Sequence, residues 1–487
     1  MNQNTPEFQI IYGKYEGLEK KAAEIIAEAV APYLPYSLTA SPADTVTEQH
    51  LADIQPIFVG TAASNPYIAT LLRREFLQPA PGPEGYSIRV LPNPFCPKNQ
   101  AIIIMGFDDH GTLYGALDFQ AYYLPEAENN HLHTTYFDPI FTEKPLPDYA
   151  SISVPEIKFR GLWSWGHMIY DYKKYLEHMM RLKMNTMIIW NDFVPVNIRE
   201  IIDYAHSCGI RIIAGYAWGW ETAVSDHMDI SNPEFLMQLQ EHICQEFEKN
   251  YQSLNLDGIY FQSFTETSQE TRNGVSIAET VVPFVNAVSR RLSAYCKNMP
   301  LYFGLHATSV FDKLEIIKQI DPEICIVWED CGAFPYAYLP SQTADYEKTL
   351  AFTDQITILR GKSEKFGAVL KGLTCLDWDH FRHQGGPYIM GHSAEAFIRQ
   401  RAIEKEQIWR FTTAFWLENL CLAKETIQRI FQNTKGHTMI TALLEDGLLE
   451  AYIPFPAALM GELLWNSSQP TSILLRRIAL RKDIRFS

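Results

Sequence analysis

The stretch Asp257-Gly-Ile-Tyr-Phe-Gln-Ser-Phe-Thr-Glu266 decides the fold. Residues 258–261 are apolar and β-prone, and the chain then runs through a short polar tip to a glutamate. The same unit recurs on both sides: an apolar run, a polar or aromatic tip, then an amphipathic helix. Apolar runs at 158–163, 186–190, 211–215, 258–261, 301–305, 324–328 and 372–376 read as seven strands. Helical patterns at 172–182, 197–207, 233–249, 276–297, 310–320 and 346–366 lie between them, and one at 394–420 follows. Strand and helix alternating in this way predict an α/β chain with a (β/α)8 TIM-type barrel. The eighth strand is the weak point. Residues 451–459 are one way to complete the barrel, and an irregular barrel is the other.

Working outward, residues 1–143 read as a small α/β domain, with strands at 8–12, 56–60, 86–91 and 101–106. Lys144-Pro-Leu-Pro-Asp148 and Pro155 mark a linker over 144–157. The barrel is expected over 158–395. A helical region over 396–487, basic at its end, completes the barrel or packs on it.

The bulk numbers narrow the function classes. At 487 residues and 47% hydrophobic content, the chain is long enough for more than one domain with a large core. A net charge of −16 argues against nucleic acid as a partner, because polyanion binding needs a basic surface. No apolar run is long enough to span a bilayer, so no membrane partner is expected. The N-terminus lacks a basic segment followed by an apolar one, so the chain reads as cytoplasmic. A chain whose signal had been removed, for the periplasm or for secretion, would read the same. The eight cysteines form no CxxC pair and read as free thiols, several of them buried. A homodimer is the base-rate expectation.

In a (β/α)8 barrel the chemistry sits at the C-terminal ends of the strands. Those tips carry Asp192, Glu221, Glu266, Glu329, Asp330, Asp377 and Asp379. Glycosidic cleavage needs two carboxyl groups, one to protonate the leaving oxygen and one to activate water or attack the anomeric carbon. Glu266 is the candidate acid, since its neighbours Phe264 and Thr265 can desolvate it. Asp377, Glu329 and Asp330 are candidates for the second role. Asp377 and Asp379 flank Trp378 and share a face in extended chain. Glu329 and Asp330 are adjacent, so one of the two faces the site. Trp163, Trp165, Trp218, Trp220 and Trp378 suit stacking on sugar faces. His167, Asn191, Asp192, Glu221, Gln262, His306 and Asp379 are candidate hydroxyl ligands. Each has a blander reading as a core ring, a helix cap or a satisfied buried polar group. No metal site or cofactor is expected: no HxH or HxxxH pair falls in a barrel element, and no phosphate-binding GxxxxGK[ST] is present.

Further segments carry a resemblance. Phe58-Val-Gly-Thr61, Tyr86-Ser-Ile-Arg-Val90, Ala101-Ile-Ile-Ile-Met-Gly106 and Gly111-Thr-Leu-Tyr-Gly115 resemble the small domain that precedes the barrel in α-glucuronidases and β-hexosaminidases. Arg181-Leu-Lys-Met-Asn-Thr-Met-Ile-Ile-Trp190 and Ile201-Ile-Asp-Tyr-Ala-His-Ser-Cys-Gly-Ile-Arg-Ile-Ile213 are similar to barrel strands two and three of both. The resemblance implies a glycoside hydrolase acting on a carbohydrate. β-Hexosaminidases carry an adjacent Asp-Glu pair after the fourth strand, where this chain has Thr265 before Glu266. α-Glucuronidases carry a single glutamate acid there, matching Glu266, but a uronate needs cationic partners. The first six tips carry neither Lys nor Arg, and Arg382 is the nearest. Two other readings stand beside the hydrolase: a non-catalytic carbohydrate-binding protein on a degenerate barrel, and a metal-dependent barrel hydrolase.

Overall fold

The computed structural model describes residues 6–131, 145–165, 169–191, 193–219, 229–265, 267, 269–296, 298–305, 309–310, 312–329, 346–361, 364–373, 386–444 and 446–486. They form two compact units. One comprises 1–155 with 207–209 and 469–484; the other comprises 156–206, 210–468 and 485–487.

The first unit is built on a six-stranded mixed sheet of order β2-β1-β3-β5-β4-β6. Its strands are β1 (Phe8–Tyr12), β2 (Thr39–Pro42), β3 (Gln55–Thr61), β4 (Tyr86–Asn93), β5 (Cys96–Gly106) and β6 (Tyr149–Ser153). β4 runs antiparallel to both β5 and β6, and the other pairings are parallel. Every residue of β3 is buried, as expected of a central strand covered on both faces. The chain's basic end joins this unit rather than the barrel. Its helix Thr471–Leu480 places the Arg477 guanidinium 3.9 Å from the Tyr122 ring centre and 3.2 Å from Asp118, and Lys482 pairs with Glu128.

The second unit is a closed barrel of eight parallel strands in chain order. These are β7 (Phe159–Trp165), β8 (Thr186–Trp190), β9 (Arg211–Gly215), β10 (Gly258–Gln262), β13 (Leu301–Leu305), β14 (Cys325–Trp328), β15 (Phe366–Leu373) and β16 (Met439–Leu444). A two-stranded hairpin, β11 (Thr271–Arg272) with β12 (Val275–Ser276), interrupts the alternation after β10. β16 pairs with β7 and closes the ring. Trp163, Ile188, Trp190, Ile213, Tyr260, Tyr302, Val327, Val369, Met439 and Leu443 pack together in the interior. Along each strand such inward positions alternate with ones that face the surrounding helices.

Local chemistry sets the helix starts. Asp171 accepts from the amides of Lys173 and Lys174, Asn232 from those of Glu234 and Phe235, and Ser276 from that of Glu279. Each satisfies amides that have no partner inside their own helix.

Two strands differ from the sequence expectation. The seventh begins at Phe366, six residues before the predicted 372, because the preceding helix stops at Leu359 and Gly361 turns the chain at φ +58°. The eighth is Met439–Leu444, not 451–459. Pro454 and Pro456 instead open a buried helix, Phe455–Trp465, where proline is tolerated because the first-turn amides need no intrahelical partner. Among the described residues, three helices, Glu395–Glu404, Glu406–Glu418 and Leu420–Thr434, intervene between the last two strands. Lys435 and Gly436 then end the third at positive φ.

Candidate functional site

At the C-terminal end of the barrel the described residues bring together three groups from two strands. Tyr260 and Gln262 lie two apart on β10, so both face the interior. Glu329 follows the last residue of β14, two beyond the inward Val327, and points the same way. The Tyr260 hydroxyl donates to Glu329 Oε1. The Gln262 amide donates to Glu329 Oε1 at 2.8 Å and Oε2 at 2.9 Å, and lies 3.2 Å from the Tyr260 oxygen. Glu329 is 4% exposed and Gln262 3%.

These groups can meet because the strand between them is empty at one position. β13 separates β10 from β14, and its inward residue there is Gly304, paired with Gln262 on one side and Val327 on the other. A Cβ on Gly304 would lie 2.1 Å from the Tyr260 oxygen and 2.2 Å from Glu329 Oε1. The Tyr260 ring is also held edge-on by Trp163 and Trp190, with centroids 5.8 and 5.4 Å away. The result is a carboxylate fixed by two donors over an aromatic floor. Such a group accepts protons or hydroxyl hydrogens from whatever occupies the mouth of the barrel.

A second polar cluster joins the chain after β16 to the chain after β7. Asp446 accepts from the Tyr170 hydroxyl at 2.6 Å, Arg401 Nε at 2.8 Å and Lys405 Nζ at 2.9 Å. Burial alone would raise the Asp446 pKa, but Arg401 and Lys405 outweigh it and hold the carboxyl below its ordinary range. Glu450 Oε1 accepts from the Tyr170 amide at 2.8 Å.

The structure sorts the predicted residues unevenly. Glu329 and Gln262 converge as described, and Asn191 is buried at the end of β8. Trp165 ends β7. Trp163 is not an open platform: it is 3% exposed and packs inside the barrel. Trp218 is likewise core, at 0% exposure, stacked on Phe261 with centroids 3.6 Å apart and planes 9° from parallel. Phe261 faces the helix layer because its neighbour Tyr260 faces inward, and Trp218 joins it there. Glu266, Asp330, Asp377, His167, Asp192, Trp220, Glu221, His306, Trp378 and Asp379 lie outside the described residues.

Tyr260 and Gly304 are the residues that sequence reasoning passed over. Tyr260 shares a strand face with Gln262, which was a usable signal. Nothing in the sequence marks Gly304, since its role depends on what lies across two neighbouring strands. Among the described residues, no group of three His, Cys, Asp or Glu side chains is placed to hold a metal ion. No helix there is long and apolar enough to cross a membrane.

No family model matches the chain, and no curated protein matches it. Solved structures do. The chain is similar to a GH138 enzyme targeting pectin rhamnogalacturonan II, at a TM-score of 0.51 and 10% identity over 96% of this chain and 65% of that one. It is also similar to a β-N-acetylhexosaminidase from Bacteroides fragilis, at 0.45 and 13% over 96% and 88%, and to CpGH84D, at 0.44 and 12% over 75% and 57%. The chain thus spans less than two thirds of the GH138 enzyme and of CpGH84D. The likeness to the GH138 enzyme is one of fold: an α/β chain with a closed (β/α)8 barrel.

Proposed function

We propose that this chain is a glycoside hydrolase that removes a terminal sugar from an oligosaccharide or glycan by carboxylate acid/base catalysis. The observation that carries the reading is Glu329, a buried carboxylate fixed by Tyr260 and Gln262 at the C-terminal end of a (β/α)8 barrel. In this reading Glu329 is the base, the nucleophile or a sugar hydroxyl ligand, and Glu266, after β10, is the acid. Asp330 and Asp377 compete for the second carboxylate role. Trp165, His167, Asp192, Trp220, Glu221, His306, Trp378 and Asp379 are the proposed sugar contacts. The fold shared with the GH138 enzyme makes a glycan the first substrate class to test. Thr265 before Glu266 speaks against a mechanism that needs an Asp-Glu pair, and so against a β-N-acetylhexosaminidase; the single glutamate matches an α-glucuronidase, but the first six tips carry no Lys or Arg for a uronate, so neither sugar is singled out.

The test is hydrolysis of aryl α- and β-gluco-, galacto-, N-acetylglucosaminide and glucuronide substrates by the wild type, Glu266→Gln and Glu329→Gln. Turnover by the wild type that falls at least 100-fold in both variants supports the assignment. Full activity in either variant removes that residue from the mechanism. One observation favours a second reading, a carbohydrate-binding protein without turnover: both oxygens of Glu329 already face the Gln262 amide. Sugar binding that survives Glu266→Gln, with no hydrolysis across the panel, would select it.

A further inference from the structure

Glu450 is 1% exposed, and only one of its carboxyl oxygens is engaged. Oε1 accepts from the Tyr170 amide, while Oε2 has no hydrogen-bond partner. Two backbone segments meet here, the one after β7 and the one after β16, and both lie on the catalytic face of the barrel. His178, on the helix Tyr172–Arg181, touches the Leu449 carbonyl one residue away.

We propose that Glu450 is a positioning residue of this face: as a neutral carboxylic acid it seats the segment around Tyr170 on the turn after β16, and loss of its proton unseats that segment. The surroundings give the reason. Asp446 and Asp171 both raise the cost of a negative charge on Glu450. The nearby cations, Arg401 and Lys405, are bound to Asp446. Among the described residues, Tyr175 and the Tyr170 amide also face the carboxyl, and His178 lies beside it at the Leu449 carbonyl. Among the described residues a charged Glu450 would therefore hold two backbone amide donors, those of Tyr170 and of Glu450 itself, and no cation, which does not offset its desolvation. Burial accordingly pushes its pKa up to about 8. The role is independent of the hydrolase reading in its structural part and rests on it only where turnover is concerned.

Hydrogen exchange at the Tyr170 amide tests the proposal on the whole chain, from pH 6 to pH 9.5. After correction for intrinsic exchange, protection in the wild type should fall about tenfold per unit from pH 6 to about pH 8 and level off above it. Glu450→Gln keeps the acceptor without a charge, so its protection should not change with pH. Glu450→Ala should lose protection throughout. An infrared difference spectrum, wild type minus Glu450→Gln, should show a protonated-carboxyl band at pH 6.5 that vanishes by pH 9.5. Wild-type protection independent of pH, or no such band, overturns the proposal. So does a pH dependence that persists in Glu450→Gln and disappears in His178→Gln, which would assign it to His178. Because neither readout needs a substrate, absence of glycosidase turnover would sink the hydrolase reading and leave this one standing.

Discussion

Replacing Gly304 by alanine should disable the carboxylate network from a residue that carries no chemistry itself. The new Cβ would sit 2.1 Å from the Tyr260 oxygen and 2.2 Å from Glu329 Oε1, so the two side chains must separate and their hydrogen bond is lost. Tyr260 is fully buried, and a buried hydroxyl without an acceptor costs about 1–3 kcal/mol. Forcing a methyl group into a packed interior costs about 1–3 kcal/mol more. Alanine's advantage over glycine in a strand returns roughly 0.5–1 kcal/mol. The net destabilisation is about 1–5 kcal/mol. Urea unfolding followed by tryptophan fluorescence measures it cleanly, because all ten tryptophans fall between residues 163 and 465, in the barrel unit. The geometry also predicts non-additivity. Tyr260→Phe removes one of the two clashing atoms, so Gly304→Ala should cost roughly 1–3 kcal/mol less in the Tyr260→Phe background than in the wild type. A Gly304→Ala variant within about 0.5 kcal/mol of the wild type, or strict additivity with Tyr260→Phe, would refute the reasoning.

The other predictions are briefer. Trp218→Ala should cost the barrel about 3–5 kcal/mol through a cavity beside Phe261 while leaving sugar affinity, measured by calorimetry on the folded protein, unchanged; a selective loss of affinity would restore it as a sugar contact. Glu450 has its folded pKa raised to about 8 from 4.5, so the native state binds the extra proton between those values. Barrel stability should then fall by ~1.4 kcal/mol per pH unit across that window, a decline that Glu450→Gln removes; equal slopes in denaturant titrations of the two proteins would contradict this. Lys183 and Glu462 form a buried pair at 3.2 Å beneath the Trp465 ring. Glu462→Ala should cost about 3–5 kcal/mol by removing the carboxylate paired with the buried Lys183 ammonium, whereas Lys183→Met with Glu462→Leu should unfold near the wild-type urea midpoint.

The legibility of the fold followed strand length and punctuation. Runs such as Thr186–Trp190 and Gly258–Gln262 are apolar, β-prone and followed by polar tips, so they could be placed from residue order. Met439–Leu444 has the same character, but among the described residues it follows three consecutive helices rather than one, and a short apolar run cannot be told from buried helix by periodicity alone. The site divided in the same way. Gln262 and Glu329 were accessible because strand ends are where a barrel exposes its chemistry. The tryptophans misled, because an indole suits a sugar platform and a packed core equally well. Which role it takes depends on what packs over it: Trp163 is covered inside the barrel, and Trp218 stacks on Phe261 against the helices.

By itself the sequence determined the alternation of strand and helix, and with it the barrel and the face on which polar tips collect, because these follow from hydrophobic period and local turn chemistry. Only the tertiary structure decided which tips meet. Tyr260, Gln262 and Glu329 come together across Gly304, and Glu450 meets the Tyr170 amide 280 residues away in the chain. Both encounters depend on strand order and register around a closed ring. Those are fixed when eight separate runs pack at once, and no local stretch of the chain encodes them.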